Sequence, residues 1–151
     1  MRDSGGLPPL TARIRSATLT SMADYTLRKI DDMEATFGGA LRKARAELEV
    51  ESFGMAIEEF PPDFAGYPEH THDHDGQEEV YIVLSGGGWM EVDGEEFAID
   101  PETMVRVGPS AKRAVMVGPD GLRLLILGGV PGKAYEPPEW TGLGAPDPMA
   151  G

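Results

Sequence analysis

An antiparallel all-β domain, a sandwich or a barrel, is predicted from about residue 49 onward, and three observations predict it. Seven short runs rich in β-branched and aromatic residues recur between residues 49 and 127, each closed by Gly, Pro or Asp. Asp93-Gly94 joins two of them as a two-residue hairpin, because both central turn positions need positive φ. No helical segments alternate with the runs, which excludes a wound parallel sheet.

The elements follow in chain order. Residues 1–21 are rich in Gly, Pro, Ser and Thr without helical or strand period, and read as a disordered lead. Met22-Ala23-Asp24 reads as a second start, so the native chain is expected to begin at Met22. One domain is expected over 22–140, with its barrel at about 45–130. Leu41, Ala44 and Leu48 recur at helical spacing and predict a short N-terminal helical segment. The strands are expected at 49–59, 79–84, 88–92, 95–99, 103–107, 113–117 and 122–127. Gly118-Pro119-Asp120-Gly121 reads as a turn between the last two. The Pro- and Gly-rich stretch after Gly128 is expected to wrap the surface as coil, with a flexible tail at 141–151.

Charge narrows the partners. The 151 residues carry a net charge of −13, unevenly spread: positions 46–105 hold 17 acidic side chains and no basic one. Such a surface repels phosphate backbones and anionic lipid, so neither nucleic acid nor membrane is expected as a partner. It suits a cation, or a small molecule held deeper than the surface field. With no Cys there is no disulfide framework, thiolate metal site or Cys nucleophile. No apolar run approaches the roughly 18 residues of a membrane span, and Met1 to Ser21 lacks the apolar core of a signal peptide. A cytoplasmic protein is expected.

The chemistry is concentrated in five residues. All three histidines, His70, His72 and His74, lie in PEHTHDHDGQEEVY. In an extended strand they share one face, with neighbours about 6.5 Å apart, so one metal accepts an adjacent pair. His72 belongs to either pair. Glu79 opens the next strand after a turn around Asp75-Gly76 and can fold back towards it. Two imidazoles and a carboxylate leave coordination positions open, as oxygen-activating or Lewis-acid chemistry requires. Glu79 has a second reading, as an ion-pair partner of Arg113. Tyr81 shares a strand face with Glu79, so its hydroxyl can reach the same pocket. Glu58-Glu59 and Glu95-Glu96 read as solvated faces.

Gly66, His72, His74, Glu79 and Gly86 stand at the spacings of the first cupin motif, and over roughly residues 45–130 the sequence resembles the small single-domain cupins. The resemblance implies a double-stranded β-helix, a jelly-roll barrel, with a divalent metal inside it held by the two His and the Glu. His70-x-His72 is a rival register with a longer turn before Glu79, and it places Phe64 at the motif's Gly. The second motif is degenerate: Gly108, Ser110, Arg113 and Val117 stand where Pro, Gly, His and Asn are expected. A complete three-His site therefore cannot be built, and a guanidinium does not ligate metal. An inward Arg113 would instead pair with acid or hold an anionic ligand group.

The resemblance thus implies a metal site at His72, His74 and Glu79, with His70 as alternate, and substrate contacts from Arg113 and Tyr81. The metal would be iron, manganese, nickel, copper or zinc, and no organic cofactor is implied. The resemblance also implies a small organic ligand, anionic if Arg113 holds it, and a homodimer. A metal-dependent enzyme, by dioxygenation, isomerisation or related chemistry, stands beside a metal-free binding or sensing protein; nothing favours a scaffold role. One fold hosts many chemistries, so the reaction is not legible.

Overall fold

The computed structural model of the chain describes residues 23–150. The expectations of a disordered 1–21 and a start at Met22 lie outside them. The described chain is antiparallel β throughout, with a minimum of helix. Its strands are β1 (Ala35–Thr36), β2 (Leu41–Arg42), β3 (Gly54–Phe60), β4 (Glu78–Val92), β5 (Glu95–Ile99), β6 (Met104–Val107) and β7 (Arg113–Gly129). The helical segment predicted near 40–48 is the single turn α1 (Ala44–Glu47), because Leu41 and Arg42 are taken up by β2. The sheet runs β1-β2-β3-β7-β4-β5, and β6 pairs with the first half of β4 where β5 pairs with its second.

Two pairs of predicted strands are fused. Runs 79–84 and 88–92 are one strand, β4, and runs 113–117 and 122–127 are one strand, β7. The expected turn at Gly118–Gly121 is a distortion inside β7 rather than a reversal. The ladder between the two long strands shifts register between Val83 and Ser85 and between Gly86 and Gly88. Each distortion inverts the faces. In β7 the buried residues are Arg113, Val115 and Val117 before it, and Leu122, Leu124 and Ile126 after it. In β4 they are Tyr81 and Val83 before and Met90 after. A bulge adds the extra residue that such an inversion needs and bends the strand. One strand therefore serves two walls: the first half of β4 is flanked by β6 and the end of β7, its second half by β5 and the start of β7.

The main core fills the space between these walls with Val83, Met90, Ile99, Val107, Val115, Leu122 and Leu124. Complete burial of a side chain such as Leu124 contributes roughly 1.5–3 kcal/mol. A smaller cluster, Met33, Ala44 and Ile57, packs on the outer side of β3 and is capped by Ile30 and Leu48. The N-terminal segment thus covers a sheet face that would otherwise be apolar and wet.

The tail does not fray after Trp140. Thr141 closes a 3-10 turn, Glu139–Thr141, and the residues beyond it are tied to the N-terminal segment. Lys43 Nζ donates to the Glu34 carboxylate at 2.7 Å and to the carbonyls of Gly142 and Ala145 at 2.8 and 3.3 Å. The Gly144 amide donates to the same carboxylate, and the Gly38 amide to Asp147 at 2.9 Å. Trp140 meets Phe37 edge-on, with centroids 5.1 Å apart. A buried ammonium with its donors satisfied by carboxylate and carbonyls is the kind of anchor that holds a Pro/Gly-rich segment in place.

Candidate metal and ligand site

Strand alternation builds the site floor. Across β4, β7 and β3, Glu79 stands opposite Gly128 and Gly128 opposite Gly54; one step inward, Tyr81 stands opposite Ile126 and Ile126 opposite Ala56. Tyr81 therefore sits beside Glu79 on the inner face, as the two-residue period predicts, and its hydroxyl donates to Glu79 Oε2 at 2.6 Å.

The histidines lie on a segment that is not a strand. His70 makes one isolated bridge to Arg113, exchanging backbone bonds of 3.0 Å in both directions, and the His72 amide donates to Pro109 at 2.8 Å. The segment is extended only that far. At His72 it turns: the amides of Asp75 and Gly76 both bond back to the His72 carbonyl, and Gly76 takes φ +73°. Asp75 fixes the turn by accepting from the Gln77 amide at 3.1 Å and its side chain at 2.9 Å.

The turn separates the histidines into two groups. His70, His72 and Glu79 bring donor atoms within 4.8 Å of one another, close enough to hold a metal ion. His74, expected beside His72 and Glu79, is carried past the turn; its side chain is 73% exposed and lies by Asp75. His72, His74 and Asp75 form a second, more open group of the same kind. The alternation argument holds for His70 and His72 and fails at His74, because a side-chain-capped turn intervenes.

Both rings of the inner group are oriented from behind. His70 Nδ1 is 3.0 Å from the Pro68 carbonyl, an acceptor only, so Nδ1 carries the proton and Nε2 is left free. His72 Nδ1 is 3.0 Å from Asp75 Oδ1, and its Nε2 is 3.1 Å from Glu79 Oε1. The Glu79 bond, with the Glu79 and Asp75 charges, raises the His72 pKa against burial. Burial would raise Glu79 as well, but bonds from His72 and Tyr81 and the charges of His72 and Arg113 hold it below the usual carboxylate range. Burial, with the negative charges around it, pushes Tyr81 up, so its hydroxyl stays a donor.

Arg113 is fully buried behind Glu79, with Nε 3.7 Å from Glu79 Oε2 and Nη2 donating to the Gly108 carbonyl at 2.9 Å. It pairs with the acid. It is not among the residues that line the cavity, and neither is Tyr81. What the structure gives for both are contacts with Glu79, a hydrogen bond from Tyr81 and an ion pair with Arg113.

In front of the group lies a cavity of about 1310 Å³, walled by Phe60, Phe64, Tyr67, Tyr135 and Trp140 among others. Sequence reasoning missed Glu58, which also lines it. Glu58 Oε2 is buried with no hydrogen-bond partner, and burial together with the Glu79 charge pushes its pKa up to about 8. Glu59, its neighbour, faces outward to Arg42 and Arg123. A signal for this was present, because adjacent strand residues point to opposite faces and two consecutive acids in β3 cannot both be solvated.

The raised Glu58 pKa fixes a pH dependence. Its unfolded value lies near 4.5, so its contribution to stability is complete below pH 4.5 and is lost as pH rises through about 8. Glu58→Gln is therefore expected to gain on the parent by a few kcal/mol, roughly, between pH 5 and pH 8 and to hold that lead above it. Urea unfolding of both proteins at each pH reads the difference; parallel curves would remove the ionisation penalty.

No protein-family model matches the sequence, and no curated protein matches it either. Solved structures do. A cupin protein from Bacteroides fragilis is similar over 78% of this chain and 93% of its own, at 20% identity and a TM-score of 0.59. This chain has the cupin fold. A protein from Photorhabdus luminescens is similar over 71% of this chain and 88% of its own, at 16% identity and a TM-score of 0.54. In this barrel His70, His72 and Glu79 come together beside the cavity, and Arg113 is buried behind Glu79. Among the described residues no helix is long and apolar enough to cross a membrane.

Proposed function

We propose that this cupin holds one divalent transition metal through His70, His72 and Glu79 and receives a small organic molecule in the cavity beside it. The observation that carries the reading is the pair of oriented rings. Pro68 and Asp75 each engage an Nδ1, so the Nε2 atoms are the ones an ion would take: that of His70, and that of His72, which in this structure meets Glu79 Oε1. Carboxylate or carbonyl groups behind ligating imidazoles fix tautomer and orientation and raise basicity. Two imidazoles and a carboxylate suit iron, manganese, nickel, copper or zinc. Bound there, the ion would polarise a ligand oxygen or, if iron, activate oxygen. The protein's own part is positional. Tyr81 donates to Glu79 Oε2 and leaves Oε1 directed at His72, Arg113 balances the carboxylate charge from behind, and Phe60, Phe64 and Tyr67 offer the ligand an aromatic wall.

Untagged full-length protein titrated with each metal by calorimetry tests this. One equivalent is expected to bind; His70→Ala and His72→Ala should lose that binding, and His74→Ala should keep it. Loss in His74→Ala with retention in His70→Ala would sink the proposed ligand set. A second reading has its own observation: Glu79 is already satisfied by His72, Tyr81 and Arg113, a set complete without metal. No heat of binding and no thermal shift with any of the five metals would favour this metal-free binding or sensing protein. The homodimer belongs to the same proposal and is read by light scattering.

A further inference from the structure

The cavity has a second polar pole, apart from the histidines. Glu58 and Phe60 share one face of β3, opposite Leu124 and Leu122 of β7. Phe60 stacks on Phe64 with centroids 5.0 Å apart and meets Tyr67 edge-on at 5.6 Å. All four side chains line the cavity. The Glu58 carboxyl has one oxygen buried without a partner. Glu79, another acid, adds to the effect of burial on it, and among the described residues Glu58 makes no ion pair with a base. Of the bases that line the cavity or lie near it, Lys43 is engaged by Glu34, Gly142 and Ala145, Arg113 by Glu79, and Arg45 by the Val50 carbonyl through one Nη, its buried Nε having no partner.

We propose that this pole binds the positively charged head of a small organic cation of the ammonium type, with Glu58 as its counter-ion and Phe60, Phe64 and Tyr67 as its aromatic wall. The inference rests on the small-molecule reading of the cavity and names the class of ligand. A buried carboxyl without a partner is unfavourable until a donor or a cation meets it. Aromatic faces attract cations through their quadrupole, most strongly where water is excluded. The stretch 46–105, with 17 acids and no base, draws cations towards the same region. An anion would meet Glu58 and Glu79 together.

Choline and its uncharged isostere 3,3-dimethylbutan-1-ol separate charge from shape. Both are titrated by calorimetry into the full chain at pH 8, with and without one equivalent of zinc. Choline is expected to bind at least about tenfold more tightly than the alcohol. Glu58→Gln, which keeps size and polarity, should bring the two affinities together while leaving the alcohol unchanged. Phe60→Leu should narrow the gap without closing it. Equal affinities in the parent, no binding of either probe, or a preference that survives Glu58→Gln would overturn the proposal. The zinc titration on the same samples keeps the two readings apart. Zinc bound without a choline preference removes the cation pole alone, and a choline preference without zinc removes the metal site alone.

Discussion

Glu79→Ala is expected to lose about 3–5 kcal/mol of stability, the cost of breaking a buried ion pair by removing one partner. Arg113 is fully buried and its Nε and Nη1 have no hydrogen-bond partner, so Glu79 supplies its compensating charge. The same substitution strands the Tyr81 hydroxyl and frees His72 Nε2. Chemical unfolding at pH 7 checks the magnitude. The companion measurement is the double variant Glu79→Leu with Arg113→Met, which removes both charges and should recover most of the loss. If Glu79→Ala alone is nearly neutral, Arg113 is not held by this pair. The arrangement also explains why Glu79 stays ionised inside the barrel. The guanidinium is matched from within the barrel and needs no ligand to balance it.

Gly86→Ala should be comparably damaging for a reason unconnected with charge. Gly86 takes φ +73°, and a Cβ there would lie 2.1 Å from the Gly121 carbonyl oxygen, a backbone atom that cannot step aside alone. The left-handed conformation costs a non-glycine residue about 1–2 kcal/mol, and overpacking about 1–3 kcal/mol more. A combined loss of about 2–5 kcal/mol is expected from thermal or urea unfolding. Relief of the clash by sliding β4 one residue along β7 would turn Glu79 and Tyr81 out of the barrel, because a one-residue slip exchanges the faces. Metal titration of any folded Gly86→Ala protein reads that outcome. A variant as stable as the parent would show that the two bulges do not depend on each other.

The elements that were legible in the sequence are those whose geometry is local. The 95–99 strand, the Asp93-Gly94 hairpin and the Glu79–Tyr81 pairing follow from a two-residue period or from a turn's demand for positive φ. Asp93 and Gly94 indeed take φ +49° and +88°. The fusion of β4 and of β7 was not legible, since glycine marks a bulge within a strand as readily as a turn between two, and long-range pairing decides. The separation of His74 from Glu79 was hidden for a similar reason. Asp75 caps a turn through Gln77 and His72, a side-chain network that competes with strand extension and leaves no trace in periodicity. Glu58 was hidden by its neighbour, because two consecutive acids suggest a wet surface until one asks which way each points. Arg113 was read as inward-facing and as a partner for Glu79, and it is both; its burial behind the acid, out of the ligand's reach, needed coordinates.

The anchored tail has a consequence for how such a protein can change. Trp140, Thr141 and Met149 shape one side of the cavity, yet none of them belongs to the ladder that holds the strands in register or to the two hydrophobic clusters. Its fastening is polar, through Lys43, Glu34 and Asp147. Substitutions there can resize the chamber while the barrel keeps its shape. Affinity for the protein's own architecture and taste for a guest are thus written in different stretches of one short chain, and each can drift without waiting for the other.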